Sequence, residues 1–228
     1  MKKMKISVVA LSSLLLLSSC ATSQGTGTGI GAGAGAALGA LIGGMTNNSH
    51  SGTGALVGAA IGAAVGGTAG NLIGRHMDKV KSQVQSQVSN AKVEEIEING
   101  LKAVKVTFDS GLQFDMSKAT LKSDAKTDLT KFASVLKGDK DLNVAVWGFT
   151  DATGGDKVNV PLSKNRANAV SNYLKNQGVA SAQIRDVQGK GSQNPIVDST
   201  VAPENRRVEV YLYASDSMVK KAENGTLK

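Results

Sequence analysis

The stretch Leu142-Asn143-Val144-Ala145-Val146-Trp147-Gly148-Phe149-Thr150-Asp151 decides how this chain is read. Its first eight residues, LNVAVWGF, are apolar on both faces of an extended segment, so they predict a strand inside a sheet rather than at its edge. Thr150-Asp151 follows directly, at the carboxyl end of the strand, where ligands of open α/β sheets usually sit. Upstream, 93–98 and 101–108 flank Asn99-Gly100, a two-residue hairpin signal. Leu121, Ala125, Leu129, Phe132, Ala133 and Leu136 then mark an amphipathic helix stopped by Gly138. Downstream, Leu162, Ala167, Val170 and Leu174 give a second helix, started by Ser163 and ended by Gly178. Strands at 184–189 and 207–213 alternate with these helices, which implies a sheet with helices packed against it.

The chemistry gathers beside that strand end. A loop with Gly154-Gly155 and Asn159 leads from Asp151 into the second helix, and Arg166 is expected in its first turn. A cation there opposes the helix dipole and calls for a reason. Free N–H groups and a guanidinium at a helix start form a site for a carboxylate. Asp151 nearby suits an ammonium, and together they suit a zwitterionic amino-acid end. An internal Asp151–Arg166 salt bridge is the other arrangement the spacing allows.

Four separated motifs in this region occur together: Gly148-Phe149-Thr150-Asp151, Leu162-Ser163 with Arg166-Ala167, Gly189 through Pro195, and Asn205-Arg206-Arg207-Val208-Glu209. In that order they resemble the OmpA-like peptidoglycan-binding domain, over about Phe108 to Tyr213. The resemblance implies an α+β fold, a βαβαβ-type two-layer domain with a mixed sheet and helices on one face, that holds the diaminopimelate of peptidoglycan stem peptides non-covalently. It implies that Asp151 takes the ammonium and Arg166 the carboxylate, with Thr150 and Asn159 lining the loop and Arg206 and Arg207 in support. Phe149 departs from the family, which often has His there. Asp115, in Phe114-Asp115, matches a family acidic position that caps or orders the loop.

The N-terminal half has another character. Of the 27 glycines in 228 residues, 17 lie between Gly25 and Gly74, a block without Lys, Arg, Asp, Glu, Pro or aromatics. All eight aromatics and all three prolines come after Val104, so one core spanning the whole length is not expected. Lys2, Lys3 and Lys5 precede an apolar run from Ile6 to Leu17 that is too short to span a bilayer, the layout of a secretory signal. It closes on Leu17-Ser18-Ser19-Cys20, which resembles the bacterial lipobox and implies lipidation of Cys20, the single cysteine. Ala21 after that cysteine favours the outer membrane by family resemblance. Glycines then recur every four residues, at 31, 35, 39 and 43 and again from 54 to 74, lining one helical face in each of two arms. Ten glycines at one spacing would melt a lone soluble helix; close small-residue packing in a membrane repays them. The pattern looks like a glycine zipper.

The expected organisation is a signal over 1–19, a tether over 20–29 and a glycine-zipper hairpin over 30–74. A helical linker over 75–92 packs loosely on its neighbours, the OmpA-like domain spans 93–214, and 215–228 form a polar tail. The formal net charge of +8 includes the three N-terminal lysines, and no basic run exceeds two residues, so nucleic acid is not an expected partner. Two scattered histidines and one cysteine disfavour a metal site. No nucleophile–base pair or phosphate loop appears, so neither catalysis nor a cofactor is expected. The expected partners are peptidoglycan, and membrane lipid through Cys20. The expected function is a non-covalent tether between outer membrane and cell wall, with the domain in the periplasm. The alternative is an oligomeric membrane assembly or pore built by the glycine zipper, which wall binding only positions.

Overall fold

The computed structural model describes residues 67–227. The signal, Cys20 with its lipobox, the tether and all but the end of the glycine block therefore lie outside the described residues.

The first described element is a helix, α1 (Thr68–Gln87), and it corrects the expectation of a loosely packed linker beginning at Arg75. The helix starts inside the glycine block and is one continuous element. Ala69, Ile73, Met77, Val80 and Val84 recur at three- to four-residue spacing and are buried. They belong to the main core, beside Val104, Leu129 and Met218. A polar composition hid this role, because one narrow apolar stripe suffices to dock a helix. Met77→Ala is expected to lower the unfolding free energy by about 3 kcal/mol through the cavity it leaves. Urea denaturation of the full chain measures this; a linker helix would lose almost nothing.

The hairpin follows as expected. Strands β1 (Ala91–Ile98) and β2 (Leu101–Asp109) pair antiparallel with Ile98 opposite Leu101. Asn99 and Gly100 have φ of 54° and 76°, the two positive values that a type I′ turn requires. A short helix α2 (Ser110–Gln113) leads to a bridge between Phe114 and Leu121, and then α3 (Ser123–Gly138) runs across the sheet. Next comes β3 (Leu142–Gly148), then α4 (Asp156–Asn176) and β4 (Ile184–Gly189), with β4 parallel to β3. A 3-10 turn (Pro203–Asn205) precedes β5 (Arg207–Ala214).

The sheet order is β1-β2-β5-β3-β4. β3 is an interior strand, as its two apolar faces demand, but the middle position belongs to β5. That strand sends Val208, Val210 and Leu212 into the helix-covered core. On the opposite face Tyr211 joins Ile98, Ala103, Ala145, Trp147 and Phe149 in a second apolar cluster. There the Trp147 and Tyr211 rings stand 4.7 Å apart, and Trp147 Nε1 donates to Asp186 at 2.6 Å.

Two more boundaries differ from expectation. The helix expected to start at Ser163 starts seven residues earlier, at Asp156. Its first turns overhang the sheet, with Val158 and Val160 exposed, so they carry no apolar stripe to betray them. Pro161 reads as a boundary but lies inside the helix, at the cost of one backbone bond. The expected polar tail likewise contains a helix, α5 (Asp216–Glu223), capped by the Ser215 hydroxyl accepting from the Met218 N–H. Met218, Val219 and Ala222 bury its inner face in the main core. Lys221 and Ser217 both reach Asp141. Burial alone would raise the Asp141 pKa, but the bonds from Lys221 and Ser217 bring it below the ordinary value.

Candidate functional site

The site forms where β3 ends against the overhanging turns of α4. Two glycines make the approach possible. Gly148 and Gly189 face each other in the β3–β4 register. A Cβ on Gly148 would meet the Ser163 carbonyl group, and one on Gly189 would meet Lys164 N and the Val160 carbonyl. Helix backbone therefore lies directly on sheet backbone. Ser163 closes the junction: its hydroxyl donates to the Val160 carbonyl and accepts from the Gly191 N–H, both at 2.9 Å.

Past this junction the chain is pinned residue by residue. Phe149 N–H donates to the Arg207 carbonyl and Thr150 N–H to the Gly191 carbonyl, each at 2.8 Å. The Asn159 side-chain amide donates to the Asp151 carbonyl at 3.1 Å, tying the loop to α4. The Asp151 carboxylate accepts from the Thr153 N–H at 3.2 Å and from the Thr153 hydroxyl. Its other oxygen lies 3.3 Å from Arg206 Nη1. Asp151 is thus held in one orientation, 3% exposed.

Arg166 is the eleventh residue of α4, not a first-turn residue, so the expected helix-terminus site for a carboxylate is not there. Its position has another origin. Arg166 Nε donates to the Lys118 carbonyl at 3.0 Å and Nη2 to the Asp115 carbonyl at 3.5 Å. The guanidinium carbon stands 5.3 Å from the Phe114 ring centroid. These neutral partners aim the group without cancelling its charge. No ion pair joins Arg166 to Asp151 among the described residues, so the internal salt bridge that the spacing allows is not formed. Burial pulls the guanidinium's pKa below its ordinary value, the Arg206 charge adds to that, and Asp151 opposes it. The guanidinium therefore sits in surroundings that favour an added anion.

Thr150, Asp151, Asn159, Arg166 and Arg206 line one pocket of about 560 Å³. Arg207 does not, which corrects its expected supporting role. Alternation along β5 turns its side chain to the face away from the helices. There it donates to Glu209 at 2.7 Å and to the carbonyls of Asn205 and Asn194 at 3.2 and 3.1 Å. It also stacks over the Phe149 ring, 3.9 Å from the centroid. Phe149, where the resembled family often has His, packs its ring under Arg207. Asp115 is exposed at the pocket edge, 3.3 Å from Lys118 Nζ and 3.7 Å from Lys122 Nζ. Its carbonyl also accepts from the Lys118 N–H at 3.1 Å, consistent with the loop-ordering role.

Sequence reasoning missed Thr153, Phe114 and the direct Arg206–Asp151 contact. A Thr two residues after an Asp is the signal of an Asx turn, which would have found the first. The pairing of Arg206 over a 55-residue separation leaves no local signal.

Residues 113–209 match the model of the OmpA family, and residues 1–78 match the YMGG-like Gly-zipper. Probable lipoprotein YiaD of Escherichia coli is 43% identical over 106 residues, covering 45% of this chain and 48% of that protein. Peptidoglycan-binding protein ArfA of Mycobacterium tuberculosis is 45% identical over 86 residues, covering 36% of this chain and 26% of that one. The chain thus spans less than half the length of these relatives. A MotB-like protein from Desulfovibrio vulgaris has the same fold, with a TM-score of 0.54 at 18% identity over 64% of this chain and 98% of that one. Residues 113–209 thus form a domain that matches the OmpA family, behind a segment, residues 1–78, that matches the YMGG-like Gly-zipper.

Proposed function

We propose that the protein is a non-catalytic tether, holding peptidoglycan with its C-terminal domain and the outer membrane with lipidated Cys20. The observation that carries this reading is the Asp151–Arg166 arrangement. A buried carboxylate and a buried guanidinium line one pocket without neutralising each other. Such a pair is complementary to a zwitterionic amino-acid end, whose ammonium goes to Asp151 and whose carboxylate goes to Arg166. Diaminopimelate presents that end on its side chain when its other end is built into a stem peptide. Arg206 stabilises the Asp151 charge before the ligand arrives and adds a second cation for the carboxylate. The names of the relatives, a lipoprotein and a peptidoglycan-binding protein, support the two ends of the tether. Many weak sites on one polymer gain strength by effective concentration, so single-site affinity need not be high.

The test is competition. Fragments of diaminopimelate-type wall are expected to displace the full chain from sacculi at concentrations about tenfold or more below those needed for Lys-type fragments. The Lys side chain lacks the carboxylate for Arg166, and an unpaired buried charge is strongly penalised. Equal displacement by both fragments would overturn the assignment.

A further inference from the structure

The sheet is apolar on both faces, but α1, α3, α4 and α5 all bury their apolar residues in the main core on one of them. The second face carries Ile98, Ala103, Ala145, Trp147, Phe149 and Tyr211, with Ile96 and Tyr213 packed against them. Among the described residues no helix contributes to that cluster, yet none of its six buried members is more than 3% exposed. A sheet with one helix layer ordinarily turns polar residues to water on its open side. Lys190 Nζ lies 4.5 Å from the Trp147 ring centroid and Arg207 lies over Phe149, which shields one end of the face. A tryptophan and two tyrosines on one sheet face still call for a layer packed against them. The charges that share this face by strand alternation are already matched. Glu94 lies 3.0 Å from Lys105 and 2.8 Å from Lys92, and Arg207 lies 2.7 Å from Glu209. The face therefore suits an uncharged cover.

The chain itself brings such a cover to the edge of the sheet. Gly70 and Gly74, the last members of the four-residue glycine series, lie in α1. They line a groove of about 490 Å³ with Ile96, Gly100 and Leu101. Ile96 also packs against the second-face cluster, so the groove meets that face at the edge strand β1. We propose that the glycine block ahead of α1, residues 30–66, packs across the second face of the domain's own sheet. Its Gly and Ala positions let backbone come close to the large rings of Trp147, Tyr211 and Tyr213, small residues against large. It contains no Lys, Arg, Asp or Glu whose charge would have to be buried. The reach is sufficient. Trp147 on β3 lies three strand spacings from β1, about 14 Å. A helical arm from Gly54 to Gly66 would run about 18 Å. Attachment at Gly67 keeps the block at a high effective concentration beside the face, an advantage that a second copy of the chain lacks. Burial against the sheet repays the helical cost of the glycines without a membrane.

Trp147 is the single tryptophan, so its fluorescence reports this face alone. The experiment measures acrylamide quenching on the full chain, with sacculus pelleting as a separate readout of the charged pocket. Wild-type Trp147 is expected to be shielded, equally at high and low protein concentration and with or without lipid vesicles. The variant Gly58→Asp/Gly62→Asp/Gly66→Asp puts three carboxylates into the block, which cannot stay against an apolar face. Its quenching constant is expected to rise about threefold or more, with a red-shifted emission, while pelleting is retained. Quenching unchanged from wild type would overturn the proposal. So would wild-type shielding that disappears on dilution, which makes a second copy the cover, or that needs vesicles, which makes the membrane the cover. If the triple variant also stops pelleting, a disulfide scan decides. It uses the full chain with Cys20→Ser and Ile96→Cys, and one further cysteine placed in turn at positions 58 to 66. An intrachain disulfide at one or more of these positions supports the docked block, and none, or only interchain disulfides, overturns it.

Discussion

Asp151→Ala protein is expected to remain in the supernatant when mixed with sacculi that pellet the wild type, with apparent affinity down about 100-fold or more. The size follows from what the carboxylate balances. Asp151 is the acidic group paired with Arg206 at 3.3 Å, and Arg166 shares the pocket. Removing it leaves two guanidinium groups facing an incoming ammonium, so attraction becomes repulsion in a place shielded from water. Arg166→Ala is expected to lose a similar amount from the carboxylate end. Arg166→Lys should not restore binding: an ammonium cannot donate to the Lys118 and Asp115 carbonyls while lying flat against Phe114. Arg206→Ala should cost less, since that side chain is 38% exposed and water screens its charge. Circular dichroism on each variant separates binding loss from unfolding. Wild-type pelleting of both Asp151→Ala and Arg166→Ala would remove these residues from the site.

The elements legible in the sequence are those whose burial is periodic. The hairpin was marked by Asn99-Gly100, β3 by its two apolar faces and α3 by its stripe from Ala125 to Leu136. The candidate residues Asp151, Asn159 and Arg166 were legible through motif order, and they line one pocket. What stayed hidden was set by tertiary contact. α1 looked like a spacer because its docking stripe is one residue wide, and only the bound α5 and β2 reveal it as core. The start of α4 was invisible because its first turns face the pocket instead of the sheet. The carboxylate site expected at that helix's N-terminus falls with the boundary, while Arg166 itself lines the pocket. Arg206 and Arg207 show the limit most plainly. Adjacent residues of one charge part where β5 begins, Arg206 just before the strand on Asp151 and Arg207 within it on Glu209. Only the strand register tells them apart.

Gly148→Ala and Gly189→Ala are each expected to cost about 3 kcal/mol or more in unfolding free energy, the largest stability effects of any single methyl added to this domain. Neither glycine has a positive φ, so the cost comes from space and not from backbone preference. A Cβ at Gly148 would lie 2.9 Å from the Ser163 carbonyl carbon, and one at Gly189 would lie 2.6 Å from the Val160 carbonyl oxygen. These are backbone atoms inside α4, which cannot rotate away as a side chain could. The helix must lift as a body, and Asn159 and Arg166 lift with it. Both variants should therefore lose sacculus binding even where they stay folded. The paired substitution gives a sharper test. Both methyl groups push on the same turn of α4 across the Gly148–Gly189 pair. Once one has lifted the helix the second finds space already open, so the double variant should cost clearly less than the sum of the singles. Gly138→Ala serves as the control, because nothing lies within 4 Å of a Cβ there. It ends α3, and Ala at a helical position should hold or slightly raise stability. Additive losses at Gly148 and Gly189, with binding intact, would mean that the strand end and the helix are not one unit, and that the site does not depend on their contact.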